Sequence, residues 1–247
     1  MPVILSVAKN LSVEYNSAML YIVGTPLGNA RDISLRAVQT LVSADVILAE
    51  DTRSFATFYP IIQELYKLSP AKEQKIVSFY KDNEFERLPS VLESLEDGLD
   101  IALISESGMP LISDPGSPLI QYLTTNNIAF TVIPGPTAFV NAAVLSGFKF
   151  KSLIHCGFLP KKKSEVLKTL DKILIAAQNM DQPILTFYES PFRINETLTL
   201  ISKKAPKAQI AICREMTKKF EEVLRGTPQE LSKESYRGEL TVAIGSL

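Results

Sequence analysis

The sequence predicts two α/β domains, the first built on a mostly parallel sheet and the second on a mixed sheet. Three observations carry this prediction. Strand and helix patterns alternate from Leu20 onward, which is typical of parallel sheets covered by helices. The run Pro134-Gly135-Pro136 breaks the chain sharply, and the half that follows is richer in strands. A length of 247 residues suffices for two domains of ordinary size.

The chain before the first strand is interpreted as an extension without expected function. Its apolar run at 2–5 follows no charged segment and leads into no long apolar stretch, so a signal peptide is not expected. A strand pattern starts directly after Met19, which makes Met19 an alternative to Met1 as the natural start. We therefore place the extension at 1–18, the first domain at 19–134 and the second domain, with its junction helix, at 135–247.

The first domain is predicted to alternate strands and helices in order. Ser34 is a suitable N-cap for a helix through Ala44. Its predicted apolar stripe is Leu35, Val38, Leu41 and Val42. Apolar residues recur at helical spacing over 84–96, and Asp97-Gly98 ends that helix. The predicted strands are 20–24, 45–49, 75–79, 101–104 and 130–133, of which 101–104 is continuously apolar, as in strands covered on both faces.

The second domain is predicted to start with a helix over 137–145, which Gly147 ends. A further helix is expected around 165–178. Ser190 and Pro191 suit the N-cap and first position of another helix. The predicted strands are 152–156, 184–188, 208–213, 220–224 and 239–245.

Composition excludes several classes of protein. The 26 basic and 27 acidic residues nearly balance, so any contact with nucleic acid must come from a local patch. Cys156 and Cys213 are far apart and form no CxxC pair, so neither a metal site nor a disulfide framework is expected. His155 and Cys156 are neighbours in a strand pattern and should point to opposite faces, which argues against a catalytic dyad. No apolar stretch reaches the roughly 18 residues of a membrane span, so a cytoplasmic protein is expected.

Four loops at predicted strand ends have unusual compositions, and ligands of open α/β sheets bind beyond the carboxyl ends of strands. The loop after the first strand lacks the third glycine of a dinucleotide fingerprint, and the chain has no phosphate-binding loop with Gly-Lys-Ser/Thr. Nicotinamide and ATP enzymes are therefore disfavoured. The charges after the second strand indicate either a cleft or a capped helix start, and local sequence leaves both open. The loops are 24–29, 50–53, 105–116 and 133–138.

In this order, the loops resemble those of the tetrapyrrole methylase superfamily, and most closely its ribosomal branch, the bacterial 16S rRNA cytidine-2′-O-methyltransferases. The resemblance extends from Met19 to the end of the chain. One departure is Glu106, where the family usually has an aspartate in Ser-Asp-Ala-Gly. The matching runs lie at 21–29, 32–37, 49–53, 113–116, 134–138, 157–160, 188–193, 214–218, Glu221 and 225–226.

The resemblance implies that S-adenosylmethionine binds in a cleft between the two halves, largely through backbone groups. It also implies methyl transfer to the ribose 2′-hydroxyl of a cytidine in the decoding region of 16S rRNA, on the rRNA or the small ribosomal subunit, by a homodimer without a metal. The implied cofactor-binding residues are Pro26, Leu27, Ser105, Glu106, Gly108, Thr137, Ala138, Phe158, Leu159 and Arg214.

Methyl transfer to a hydroxyl requires alignment of the oxygen and removal of its proton. Asp51 is the first candidate for the base and Glu106 the second, because both follow strands at the expected ligand edge. Alternatively, Asp51 only caps a helix and Glu106 only orders a loop. Candidate phosphate contacts are Arg53, Arg193 and the run Lys161, Lys162 and Lys163, although such a lysine run is also typical of a solvated loop.

Two other functions remain open on sequence grounds. One is methylation of a tetrapyrrole or another small substrate, although such relatives usually show Gly-Asp-Pro where this chain has 105–110. The other is a non-catalytic cofactor-binding module, which the Glu106 departure would favour.

Overall fold

The computed structural model describes residues 18–245 of the chain. The predicted extension lies outside these residues except for Ala18. The chain divides into two compact units. Of the described residues, the first unit contains 18–24, Ser34–Glu106 and Asp114–Pro134, and the second contains Thr25–Ile33, Ser107–Ser113 and 135–245.

The first unit is built on a parallel sheet of five strands in the order β3-β2-β4-β1-β5. All four residues of β4 are buried, as expected for a central strand covered on both faces. The strands are β1 (Leu20–Val23), β2 (Val46–Ala49), β3 (Lys75–Ser78), β4 (Ile101–Ile104) and β5 (Phe130–Ile133).

Among residues 18–134, four helices belong to this unit. Ser34 caps the first helix as predicted, since its side chain accepts a hydrogen bond from the Ala37 backbone N–H at 3.1 Å. The helices at Glu84–Glu96 and Ser117–Thr125 pack buried leucine and valine side chains against Leu20, Leu48 and Leu103 of the sheet. The helices are α1 (Leu35–Ser43), α2 (Thr52–Tyr66), α3 (Glu84–Glu96) and α4 (Ser117–Thr125).

The second unit is built on a mixed sheet in the order β6-β7-β10-β8-β9, with β6 parallel to β7 and the other pairs antiparallel. The strands are β6 (Ser152–Phe158), β7 (Pro183–Glu189), β8 (Gln209–Arg214), β9 (Glu222–Gly226) and β10 (Leu240–Gly245). The helices are α5 (Ala138–Leu145), α6 (Lys163–Gln178), α7 (Ile194–Lys204) and α8 (Pro228–Leu231), with a short 3-10 helix at Ala30–Asp32.

Successive side chains of the second sheet enter two apolar clusters. Phe187, Ile212 and Val242 pack with residues of α6, α7 and α8, whereas Ala211 and Ala243 pack with Ala143 of α5. This alternation follows from the two-residue period of a strand and covers both faces of the sheet.

Two predicted local features are wrong. Helix α7 begins at Ile194 with Arg193 as its N-cap, because residues 190–193 form a hydrogen-bonded turn in which Ser190 O accepts from the Arg193 N–H at 3.1 Å. Leu35 of the predicted stripe is half exposed, whereas Ala37 takes the buried position beside Val38 and Leu41. A small side chain therefore occupies the contact that a leucine was expected to make.

None of the helices formed by residues 18–245 is both long and apolar enough to cross a membrane.

Candidate functional site

Carboxylates gather where β2 and β4 end in the first unit. Ala49 and Ile104 are paired in parallel register, so Glu50 and Ser105 leave the sheet side by side. The Glu106 backbone N–H donates to Glu50 Oε2 at 3.3 Å, and Ser54 Oγ donates to Glu106 Oε1 at 3.3 Å. We call Glu50, Glu106 and the nearby Asp114 the acidic edge.

Asp51 is engaged as a helix cap. Its Oδ1 accepts hydrogen bonds from the backbone N–H groups of Arg53 at 2.8 Å and Ser54 at 3.4 Å, at the start of α2. Arg53 Nη2 lies 3.0 Å from Asp51 Oδ2. The Arg53 side chain and these backbone bonds lower the pKa of Asp51 to about 2. The carboxylate is therefore ionised at neutral pH and is a weak proton acceptor.

Asp114 has the opposite electrostatic environment. Burial raises the pKa of its carboxyl to about 7, the charges of Glu50 and Glu106 add to this effect, and a hydrogen bond from Ser105 opposes it. A general base works best when its pKa lies near the operating pH. Asp114 lies in the matching run 113–116 but was not among the predicted bases. An acid between Pro110 and Pro115 of that loop was a usable signal.

Glu84 holds the Asp114 loop from helix α3. Its side chain is buried and accepts a hydrogen bond from the Gly116 backbone N–H at 2.8 Å. Gly116 adopts a φ of 116°, a conformation that glycine tolerates best. The position of Asp114 is thus fixed by a buried contact two residues further along the chain.

Three of the four predicted loops come together in the second unit. The Thr25 N–H donates to Gly108 O at 2.8 Å, and Ser107 Oγ donates to Leu27 O at 3.3 Å. A Cβ on Gly108, whose φ is 84°, would lie 3.3 Å from Leu27 Cδ2 and 3.4 Å from Pro136 O. The left-handed backbone therefore favours glycine at this position, and a side chain there would also press on Leu27.

Residues around the 137–138 junction begin helix α5. Thr137 is its N-cap residue, yet its Oγ1 donates to Gly135 O at 3.4 Å rather than capping the helix. Pro26 and Ala138 belong to the same unit as Leu27 and Gly108, whereas Ser105 and Glu106 belong to the first.

The other predicted cofactor residues end strands of the second sheet. Phe158 is largely exposed at the end of β6, and Leu159 is buried. The Phe158 ring lies 5.4 Å from that of Tyr188, which contacts His155 at 4.8 Å. Arg214 ends β8, where its Nε lies 3.4 Å from Glu222 Oε2.

The predicted phosphate contacts differ in how freely they face water. The Arg53 side chain is 91% exposed, and Lys162 pairs weakly with Glu165 at 3.6 Å on the surface. Lys163 pairs with Glu196. Arg193 instead donates to Glu189 Oε1 at 2.8 Å, to Pro160 O at 3.2 Å and to Leu159 O at 3.0 Å. Its donors are used within the fold, which favours a bracing role.

Cys213 is buried, and His155 and Cys156 are partly buried. His155 Nδ1 lies 3.1 Å from Thr186 Oγ1, and its ring stacks on Phe139 at 4.2 Å. Burial raises the pKa of both Cys156 and Cys213 to about 11, so both thiols stay protonated at neutral pH. Within the described residues, no three His, Cys, Asp or Glu side chains are placed to hold a metal ion.

Comparison with known proteins gives a family match and close relatives. The family described as Tetrapyrrole (Corrin/Porphyrin) Methylases matches residues 19–232. The Ribosomal RNA small subunit methyltransferase I of Coprothermobacter proteolyticus is 36% identical over 92% of this chain and 97% of its own length. The protein of the same name from Thermotoga maritima is 36% identical over 91% of this chain and 97% of its own.

Solved structures with the same fold are more distant in sequence. The methyltransferase CobJ superposes with a TM-score of 0.70 at 18% identity, covering 93% of this chain and 95% of that one. A uroporphyrin-III-C-methyltransferase from Thermus thermophilus gives 0.62 at 18% identity, covering 92% and 94%. At such identities the likeness concerns the fold alone.

Proposed function

The chain belongs to the tetrapyrrole methylase family, and from that premise we propose that it methylates the ribose 2′-hydroxyl of a cytidine in the decoding region of 16S rRNA, using S-adenosylmethionine. The observation that carries the proposal is 36% identity over 92% of the chain to a relative named for small-subunit rRNA methylation. The uroporphyrin-III-C-methyltransferase and the methyltransferase CobJ share only 18% identity with this chain. A ribosomal substrate implies a cytoplasmic enzyme.

The loops of the second unit suit a cofactor that combines an adenosine with an amino acid. Residues 25–28, 107–109 and 135–138 pack together around the apolar Leu27, and Gly108 lets these loops approach closely. When bound, the cofactor supplies an activated methyl group on a sulfonium. We propose that it is held by Pro26, Leu27, Ser105, Glu106, Gly108, Thr137, Ala138, Phe158, Leu159 and Arg214.

The ribose hydroxyl must lose its proton as its oxygen accepts the methyl group. Of the carboxylates on the first unit, we place Asp114 ahead of Asp51 and Glu106 as the proton acceptor. The raised pKa of about 7 makes Asp114 a stronger base than Asp51, whose pKa of about 2 reflects its bond to Arg53. Glu106 and Glu50 then act as neighbouring charges that strengthen that base.

Contacts to the RNA backbone are proposed for exposed cations. Arg53 on the first unit and Lys161, Lys162 and Lys163 on the second are exposed. Arg53, Lys162 and Lys163 also pair with neighbouring carboxylates, which a phosphate would have to replace. Arg193, also predicted as a phosphate contact, holds the neighbouring loop for them instead. We also propose a homodimer, which light scattering on the purified protein tests directly.

A methyl-transfer assay tests the function and separates its alternatives. Purified protein is incubated with methyl-labelled S-adenosylmethionine and, in parallel, small ribosomal subunits, free 16S rRNA and uroporphyrinogen, and the rRNA is then digested to nucleosides. We expect label in 2′-O-methylcytidine. Label in the macrocycle would assign the chain to small-substrate methylation, and no label with retained cofactor binding would assign it to a non-catalytic module.

A further inference from the structure

One exposed aromatic residue has no role in the packing of the fold. Phe192 is 96% exposed, more than any other large apolar residue within 18–245. A phenylalanine in water forgoes the free energy that burial of its ring would provide. Its position therefore calls for an explanation outside the core.

The turn that carries Phe192 is held rigidly. Glu189 is buried, and its Oε1 accepts from the Ser190 N–H at 2.8 Å and from Arg193 Nε at 2.8 Å. Its Oε2 accepts from Thr197 Oγ1 at 2.7 Å. These bonds fix residues 190–193 on both sides of Phe192, so the ring is presented by a braced backbone.

The same brace brings lysines next to the turn. Strands β6 and β7 are parallel neighbours, with Phe158 paired to Tyr188, so their following loops leave the same edge of the sheet. Arg193 joins the loops by donating to the carbonyls of Leu159 and Pro160. Lys161 and Lys162 follow at once, and both are exposed.

An exposed aromatic ring on a turn that is tied to a loop with two exposed lysines matches the chemistry of an unpaired RNA strand. Bases that are not in a duplex stack on aromatic side chains, and lysines meet the phosphates between them. A duplex offers no free base face, because its bases already stack on each other. The observations therefore favour single-stranded RNA over a duplex.

We propose that Phe192, together with Lys161 and Lys162, forms a surface that stacks an unpaired base of the RNA substrate and contacts its adjacent phosphates. We call this surface the Phe192 surface. It rests on the proposed function for the identity of the RNA, but its binding chemistry is tested without methyl transfer.

The test measures binding by fluorescence anisotropy with a labelled oligoribonucleotide of about 12 nucleotides that lacks self-complementarity. We expect Phe192→Ala to weaken single-strand binding about tenfold without changing its salt slope, because stacking on one base is not electrostatic. Phe192→Tyr should retain the affinity, since a tyrosine ring also stacks. Replacing Lys161 and Lys162 together by alanine should instead lower the salt slope by about 1.4, because each phosphate contact on a single strand contributes about 0.7.

The matched control is Phe85→Ala, which removes a 70% exposed phenylalanine from helix α3 of the first unit. It should bind the oligonucleotide like the wild type. Unfolding midpoints should stay unchanged in both variants, because neither ring is packed. Affinity of Phe192→Ala within twofold of the wild type, or an equal loss for a blunt duplex, would overturn the proposal, as would a wild type that does not bind the strand.

The outcomes separate this surface from the proposed function. A protein that binds the oligonucleotide through Phe192 but leaves 16S rRNA unlabelled would support the Phe192 surface and contradict the proposed function. If the wild type and Phe192→Ala label 16S rRNA with equal KM and bind the strand equally, the proposed function is supported and the Phe192 surface is contradicted.

Discussion

Asp114 and Asp51 are aspartates of the same unit with opposite electrostatics. Burial and two neighbouring carboxylates raise the pKa of Asp114, whereas a guanidinium and backbone N–H groups lower that of Asp51. Such divergence is the usual way in which one fold separates a proton acceptor from a structural charge. The two residues therefore make opposite predictions for activity and for stability.

Asp114→Asn should lower the rate of methyl transfer by at least a hundredfold, the scale of a lost general base. In the wild type the rate should rise with pH and level off above about 7, because only ionised Asp114 accepts a proton. Because the folded pKa of Asp114 lies above its unfolded value, the free energy of unfolding falls as pH rises from about 4 to 7. The variant should therefore be more stable than the wild type at pH 8 and equal to it at pH 4, measured by urea unfolding.

Asp51→Asn is the paired variant and should leave methyl transfer within about threefold of the wild type. Asparagine still caps α2 but cannot pair with Arg53, so the unfolding midpoint should fall slightly at pH 7. Because the folded pKa of Asp51 is lowered, its contribution is present above about pH 4 and lost as pH falls towards 2. A hundredfold loss of rate in this variant, with Asp114→Asn active, would return the base to Asp51.

Loops and helices show where sequence patterns were sufficient and where they were not. Continuous apolar runs such as Ile101–Ile104 predicted buried strands, because burial on both faces requires them. The predicted N-cap of α7 was wrong because hydrogen bonds to the buried Glu189 hold residues 190–193 in a turn. Local sequence does not reveal these bonds. For helix α2, a capped start at Asp51 was one of two alternatives that the sequence left open, and the extent of the helix, which contains Pro60, was not predicted.

The candidate site was predicted as loops and not as a set of contacts. The family motifs pointed to 25–28, 105–108 and 134–138, but only the structure joins Gly108 to Leu27 and Pro136. Phe192 lies in the matching run 188–193 but was given no role, because an isolated exposed ring belongs to no periodic pattern. Tertiary hydrogen bonds, such as that from Asn29 N–H to Thr217 Oγ1 at 3.1 Å, also assign the 25–33 segment to the second unit.

Gly108→Ala tests the loop contact, and Gly98→Ala is its matched control. Both glycines have a φ of 84°, but a Cβ at Gly98 meets nothing within 4 Å, whereas at Gly108 it meets Leu27 and Pro136 O. Each substitution should cost about 1 kcal/mol from the left-handed backbone. Only Gly108→Ala should also weaken S-adenosylmethionine binding, by calorimetry, at least tenfold. Equal cofactor affinity in the two variants would contradict the role of this loop.

At the scale of the whole molecule, charge gives no general attraction to RNA. The net charge is −1 at pH 7, so affinity for RNA must come from a local group of cations and not from the total charge. Two variants with the same change in net charge should therefore behave differently if one lies on the RNA surface. Lys162 lies beside the Phe192 turn, whereas Lys203 is exposed near the opposite end of helix α7.

Lys162→Glu should weaken binding of small ribosomal subunits and lower the slope of log affinity against log salt by about one or more, since one phosphate contact becomes repulsive. Lys203→Glu should leave affinity and slope unchanged, although it alters the net charge equally. Filter binding between about 50 and 200 mM salt provides the measurement. Equal effects of the two variants on affinity and slope would mean that total charge, and not a local surface, governs RNA binding, because the position of the substitution would then make no difference.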